Sequence, residues 1–343
     1  MPSTEKIYQT LKSRLEGSHY PAESKFPSEY VLSEEFGVSK VTVNKIVSRL
    51  VEQGYLQRGV RGSGTRVAKQ LFRPLGHIAF IGKLNAYTTE ILRGIQKECL
   101  HQHIFPVVFS PEADELTFCL STMNQRNVMG IITVGYGIIQ VSNELPTVCL
   151  DYNLPHKVSS GTVSFITSDN FSGGEKMIHE VLRRGHREIA IFSSERFVLS
   201  DDAPVTPRVS GFHAALREAG YSDYVERTFY GMPESLLDAE SSLNAILKKY
   251  PQVSIICTDS DHSAELLHNA AEKLHVECPG KIALTGFGNV THLDIASVNQ
   301  HPERQGQLAV RKIITAQNDN LMDSDEKVET ELIRIEAIPI RIS

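Results

Sequence analysis

At the start of the chain, apolar residues recur at helical spacing and are interrupted by glycine. Ile7, Leu11 and Leu15 lie at i, i+4 and i+8, which predicts a first helix ended by Gly17 and Ser18. Pro27-Ser28-Glu29 opens a second: proline fixes φ, Ser28 can cap and Glu29 complements the positive helix end. Val31, Leu32 and Phe36 supply its apolar stripe, and Gly37 stops it. Ser39 can cap a third helix, whose Val43, Ile46, Val47 and Leu50 face inward until Gly54. Two short helices joined by a tight glycine turn form a helix-turn-helix, whose second member can enter a DNA major groove. Tyr55 to Arg58 and Thr65 to Val67 then read as two short strands around Gly59-Val60-Arg61-Gly62-Ser63-Gly64, a hairpin wing.

Beyond a short linker at 70–75, which contains Arg73-Pro74, the pattern changes. Strand-like runs alternate with amphipathic helical stretches: Ile78 to Ile81, then Ile91 to Cys99; Pro106 to Phe109, then Leu116 to Met123; Val128 to Val134; Thr147 to Leu150. The rhythm restarts with Met177 to Leu182, Ile189 to Phe192, Val209 to Leu216, Val253 to Cys257, Ala264 to Leu274 and Ile282 to Leu284. Such alternation implies parallel sheets with helices on both faces. About ten or more strands fit two lobes better than one sheet. The expected organisation is a head at 1–69, a linker at 70–75 and a two-lobed body at 76–343. Ligands of such folds sit beyond the carboxyl ends of the strands, here between the lobes.

Charge separates the same two regions. The whole chain of 343 residues carries −6, which by itself argues against nucleic acid. Residues 1–69, however, hold 11 Lys and Arg against 7 Asp and Glu, giving +4, while the remainder holds 24 against 34, giving −10. A basic head on an acidic body points to a polyanion partner for the head alone. No run reaches the ~18 apolar residues of a membrane span, and the N-terminus lacks the continuous apolar core of a signal peptide, so a cytoplasmic protein is expected. Five cysteines without a CxxC pair fit reduced thiols.

The head resembles the winged helix-turn-helix of the GntR family. The residues that carry the likeness are Phe26-Pro27-Ser28-Glu29, Phe36-Gly37-Val38-Ser39, Thr42-Val43, Leu50-Val51-Glu52-Gln53-Gly54-Tyr55-Leu56 and Gly62-Ser63-Gly64-Thr65, in order across the whole head. DNA contact is expected from Ser28, Ser39, Lys40, Thr42, Asn44, Lys45, Arg49, Arg61 and Gly62. Lys40, Lys45 and Arg49 can meet phosphates or base edges, and Thr42 and Asn44 can hydrogen-bond bases or backbone. Arg61, between small residues, can enter a minor groove. The family usually has Arg where this chain has Lys40 and Asn44, a departure that bears on which operator is read.

The body resembles the effector domain of the LacI/GalR repressors, itself similar to periplasmic sugar-binding proteins. The likeness runs through Leu145-Pro146-Thr147-Val148-Cys149-Leu150-Asp151, Ser168-Asp169-Asn170 with Gly173-Gly174, and Arg184-Gly185-His186-Arg187-Glu188-Ile189-Ala190. It continues through Pro207-Arg208-Val209-Ser210-Gly211-Phe212, Ser260-Asp261-His262-Ser263-Ala264, Thr285-Gly286-Phe287, and Gln300 with Gly306 and Ala309. The resemblance implies an α/β fold with two parallel doubly wound sheets, and an effector cleft lined by Asn85, Tyr87, Thr88, Asp151, Arg208, Asp261 and Gln300. Carboxylates accept from sugar hydroxyls, a guanidinium donates to oxygens, and an aromatic face covers the apolar side of a sugar ring. Two features depart from the family: Gly288 follows Gly286-Phe287 where Asp is common, and the linker lacks an Ala- and Leu-rich hinge helix. A GntR-type head on such a body resembles the arabinose-repressor type of hybrid regulator.

Other chemistry is thinly represented. Cys99-Leu100-His101-Gln102-His103 has metal-capable side chains but no second ligand cluster, so a helix end with solvated histidines is the plainer reading. His262 sits beside Asp261 and can reach a ligand, whereas His268 and His275 are expected at the surface. Asp201-Asp202 reads as a loop. No GxSxG, P-loop or complete GxGxxG occurs, so neither an enzyme nor a cofactor is expected. The two resemblances together imply a dimeric, sugar-responsive repressor of a carbohydrate-utilisation operon that binds double-stranded operator DNA and is relieved by its ligand. The alternative is a cytoplasmic small-molecule sensor whose head contacts a protein.

Overall fold

In a computed structural model the described residues are 3–16, 19–59, 64–68, 76–112, 114–123, 128–135, 145–151, 162–194, 206–231, 236–319, 322 and 324–341. The chain divides into two compact units, Met1–Leu75 with Gln102–Ile104, and Gly76–His101 with Phe105–Ser343. The linker segment 70–75 lies outside the described residues.

In the first unit, α1 (Thr4–Glu16), α2 (Glu29–Phe36) and α3 (Lys40–Glu52) precede a ribbon of β1 (Leu56–Arg58) and β2 (Thr65–Val67). The helices start where side chains satisfy their free N–H groups: Ser28 accepts from Val31 N at 3.3 Å and Ser39 from Thr42 N at 3.2 Å. Gly37 ends α2 at φ 65°, a left-handed conformation that needs glycine or pays in strain. Ile7, Leu11 and Leu15 of α1 pack with Leu32, with Val43, Ile46, Val47 and Leu50 of α3, and with Leu56 and Val67 of the ribbon. Val31 is not part of the apolar stripe expected for α2: it is 50% exposed, because Leu32 and Phe36 already turn toward α1 and α3. The ribbon is antiparallel, with Leu56 opposite Val67 and Arg58 opposite Thr65. Phe26 N and Glu23 N donate to Thr65 O and Val67 O, so residues 23–26 flank β2 and tie the wing to the helices.

The second unit contains two lobes. The first is built from β3 (His77–Gly82), α4 (Ala86–His101), β4 (Phe105–Phe109), α5 (Leu116–Met123), β5 (Val128–Val134), β6 (Thr147–Leu150) and β7 (Val163–Ser168). The chain then crosses into α6 (Asn170–Arg183), β8 (Ile189–Ser193), α7 (Pro207–Glu218), β9 (Thr228–Tyr230), α8 (Leu236–Lys249), β10 (Ile255–Thr258), α9 (Asp261–Lys273), β11 (Ala283–Phe287) and β12 (Ala296–Asn299). It returns to the first lobe with α10 (Pro302–Asp319) and β13 (Glu326–Val328), and crosses once more to β14 (Glu331–Ile333). Among the described residues the sheets have six strands each, ordered β13-β7-β6-β5-β3-β4 and β14-β12-β11-β10-β8-β9. All pairings are parallel except β12 with β14. Counted from its own first strand, each sheet has the same winding, second-first-third-fourth-fifth-sixth, so its direction reverses beside β3 in one lobe and beside β8 in the other. Crevices at such reversals are where α/β folds take ligands.

Strands of the second lobe are buried on both faces. Ile189 and Ile191 of β8 pack with Met177 of α6 and Phe212 of α7, while Ala190 and Phe192 pack with Leu243 of α8 and Leu267 of α9. This period of two explains why the strand reads as an unbroken apolar run. Two helix pairs approach more closely than side chains allow. A Cβ on Gly94 of α4 would lie 1.9 Å from Glu303 O of α10, and one on Gly306 would lie 2.2 Å from Ile91 O. The second lobe repeats this: Gly174 of α6 faces Arg208 O at 2.4 Å and Gly211 of α7 faces Phe171 O at 2.1 Å. In each lobe the glycine contact joins the helix that enters from the other lobe to the helix after the first strand.

Candidate functional site

On the first unit, the sequence-derived DNA face maps to the N-terminal turns of α2 and α3. Ser28 and Ser39 are helix caps, and Ser39 Oγ also shares a proton with Thr42 Oγ1 at 2.9 Å. Lys40 and Lys45 are exposed. The Lys40 ammonium sits over the Tyr30 ring, 4.6 Å from its centroid. Asn44 Nδ2 donates to Glu29 Oε1 at 2.5 Å, which fixes the amide and commits one of its two protons. Arg49 is exposed, and its guanidinium bonds Glu5 of α1 at 2.7 Å and lies 3.8 Å from the Tyr8 ring centre, which links α3 to α1. Arg61 and Gly62 lie outside the described residues.

In the second unit, four of the expected effector residues belong to one continuous hydrogen-bond network. Tyr87, in the first turn of α4, donates to Asp151 Oδ2. Asp151 follows β6 at φ 48°, and its Oδ1 accepts from Ser168 N at 3.2 Å and Ser168 Oγ at 3.1 Å. Gln305 of α10 donates to Tyr87 Oη at 3.0 Å, Ser168 Oγ at 2.9 Å and Gln300 O at 2.9 Å. Gln300, where the chain leaves β12 for α10, donates to Asn170 Oδ1 at 2.9 Å. Arg208, from the first turn of α7, reaches Gln300 Oε1 at 3.2 Å, Asn170 Oδ1 at 3.3 Å and Asp259 O at 2.8 Å, and lies 4.6 Å from the Phe287 ring centre. Burial, and then the Asp151 charge, push the Tyr87 phenol well above its ordinary pKa, so it remains a donor. Asn170 Nδ2 and Gln305 Oε1 are buried with no hydrogen-bond partner among the described residues.

Three expected cleft residues have other work. Asn85 and Thr88 form a capping box at the start of α4: Thr88 N donates to Asn85 Oδ1 at 2.9 Å and Asn85 N to Thr88 Oγ1 at 2.8 Å. Asp261 is buried and accepts from Val290 N at 2.6 Å, Thr291 N at 3.2 Å and Ser297 Oγ at 2.7 Å. It braces the 288–291 turn, and a Cβ on Gly286 would lie 2.0 Å from its Oδ1. Conversely, Ser168, Asn170, Gln305, Asp259 and Phe287 join the site without being expected there. Ser168 and Asn170 stand within a motif that carries the family likeness, whereas Gln305 lies in the first turn of α10, five residues after Gln300, where no motif marks it. A cavity of about 350 Å³ lined by Leu182, Arg187, Ala219, Gly220 and Tyr221 lies at the other end of α7 and shares none of these residues. Among the described residues no three His, Cys, Asp or Glu are grouped to hold a metal, and no helix is long and apolar enough to cross a membrane.

Residues 3–67 match the bacterial regulatory proteins of the gntR family, and residues 178–336 match the periplasmic binding protein-like domain. The ribose operon repressor of Escherichia coli (strain K12) is 22% identical over 305 residues, covering 83% of this chain and 87% of that protein. The arabinose metabolism transcriptional repressor of Halalkalibacterium halodurans is 24% identical over 342 residues, covering 90% and 87%. Among solved structures, the transcriptional regulator CelR–cellobiose complex is similar at TM-score 0.63 and 18% identity, over 97% of this chain and 98% of that one. The chain thus joins a gntR-type helix-turn-helix domain to a periplasmic-binding-protein-like domain.

Proposed function

We propose that the protein is a cytoplasmic, homodimeric transcriptional repressor that releases its operator when a sugar binds between the lobes of its body. The observation that carries this reading is the hydrogen-bond network from Tyr87 to Arg208. It draws on both lobes and on two of the segments that connect them, Ser168–Asn170 and Gln300. A ligand that competes for these groups acts on the connection between the lobes itself. Asp151 supplies acceptor oxygens and Arg208 donors, while Asn170 Nδ2 and Gln305 Oε1 add an unpaired donor and acceptor. Leaving a buried polar group unpaired costs about 1–3 kcal/mol, so a polyhydroxylated ligand that pairs them gains at the expense of one that does not. Asp261, Asn85 and Thr88 support the site by holding the loop and helix that frame it. The names of the relatives make ribose, arabinose and cellobiose the first sugars to try.

In the head, Lys40, Thr42, Asn44 and Lys45 meet the operator from α3, and Arg61 and Gly62 contact it as well. Two heads must engage two half-sites in register, so a change in their spacing is enough to lower operator affinity. The cleft binds its ligand without turning it over. Fluorescence anisotropy on duplexes from the native promoter, at fixed salt and with or without each sugar, tests this. Retention above a scrambled duplex and its loss with one sugar are expected. Equal binding to every duplex, or no binding with a flat salt dependence, would instead favour a head that contacts a protein.

A further inference from the structure

The core of the first unit uses one face of α3, through Val43, Ile46, Val47 and Leu50. Val41, on the first turn of the same helix, is 68% exposed. Nothing in the local fold calls for it: β-branched residues are weaker helix formers than the straight-chain polar residues usual at such a site. Lys45 follows at i+4, on the same face, and Lys40 precedes it, held over the exposed ring of Tyr30. The free N–H groups at the start of α3 add positive potential. An apolar spot framed by cations, at the end of a helix that enters the major groove, matches an apolar group framed by phosphates. On the base edges of that groove, the C5-methyl of thymine is the group of that kind.

We propose that Val41 recognises the methyl group of a thymine in each operator half-site and so sets the base preference there. The inference rests on the DNA-binding reading above and names a residue that decides which DNA is bound. It assigns Val41 to base readout, while Lys40 and Lys45 supply attraction that is indifferent to sequence. It also gives Asn44, with its amide oriented by Glu29, a fixed place beside that contact.

The test works whatever the operator sequence. The full-length protein is used at fixed salt to select duplexes from a random-sequence pool, and each dT of the selected site is then replaced singly by dU. This deletes one methyl group and keeps every hydrogen-bonding edge. Loss of one buried methyl contact weakens binding roughly three- to fivefold. The expected result is such a loss at one dT per half-site with the wild-type protein. Val41→Ala, at an exposed position, should weaken binding to the dT duplex by the same factor and show no further loss with dU. Wild-type indifference to dU at every position, or a full dU loss in Val41→Ala, overturns the inference while leaving DNA binding intact. Failure to enrich any duplex overturns the DNA-binding reading, and this inference with it.

Discussion

Arg208 binds three acceptors and covers an aromatic ring with a single side chain, and all its neighbours lie at the junction of the lobes. Arg208→Ala is expected to weaken affinity for the sugar found by screening about 10- to 100-fold, the scale of one charge-assisted hydrogen bond. DNA affinity at fixed salt should hold, and calorimetry and anisotropy on one preparation check both; joint loss would assign Arg208 to architecture. Asp261 is expected to act on the fold, since its three donors brace the 288–291 turn against β12. Asp261→Ala strands two backbone N–H groups and a hydroxyl, so a drop of roughly 3 kcal/mol in urea-denaturation stability is expected. His213 gives a pH signature. It is buried against Tyr224 with Nε2 at 2.7 Å from Thr228 Oγ1, and burial lowers its pKa from 6.5 to about 4. The folded state therefore resists the proton that the unfolded chain takes up. Its contribution is full above pH 6.5 and is lost as pH falls toward 4, by roughly 2–3 kcal/mol at pH 4.5. His213→Asn should lose correspondingly less stability than wild type between pH 7 and 4.5.

At the scale of elements, the glycine contacts between α4 and α10 and between α6 and α7 decide how closely the helices cover each sheet. Gly94→Ala places a methyl 1.9 Å from the Glu303 carbonyl oxygen, so α10 must move. A stability loss of about 3 kcal/mol or more is expected by thermal unfolding. Sugar affinity should fall too, because α10 carries Gln305. The elements legible from the sequence are those with an unmixed signal: capped helices in the head, and apolar runs such as Ile78 to Ile81 and Ile189 to Phe192 in the body. β7 is hidden because Ser164, Thr167 and Ser168 interrupt its apolar residues, and Ser168 is there to serve the site. α8 does carry a readable period, with Ala239, Leu243 and Ile246 buried at i, i+4 and i+7. Within the site, Tyr87, Asp151, Arg208 and Gln300 are reached through family likeness. The same likeness points Asn85 and Thr88 at the ligand, although Asn-x-x-Thr is itself a capping signature. That Asp261 braces a loop depends on distant partners such as Ser297, and spacing does not encode those.

For the whole molecule, the −6 net charge divides into a basic head and an acidic body. DNA affinity should fall by about a thousandfold or more between 50 and 200 mM salt if a dimer neutralises six or more phosphates, whereas sugar affinity should change little. A nearly flat DNA titration against salt would contradict this. The three crossings between the lobes, after β7, β12 and β13, also bear on how the chain is made. The first lobe is begun by β3 but closed only by α10 and β13, and Lys97 of α4 meets Glu303 a full 206 positions later. At ~5–20 residues per second, a ribosome takes roughly 10–40 s to supply that partner. Throughout that interval the Gly94 face of α4 lacks the helix that covers it, while the head, complete by residue 67, has all the residues of its own core. The nascent protein can therefore assemble its gntR-type domain long before its periplasmic-binding-protein-like domain, and the unfinished lobe is the stage at which chaperone capture or aggregation should act.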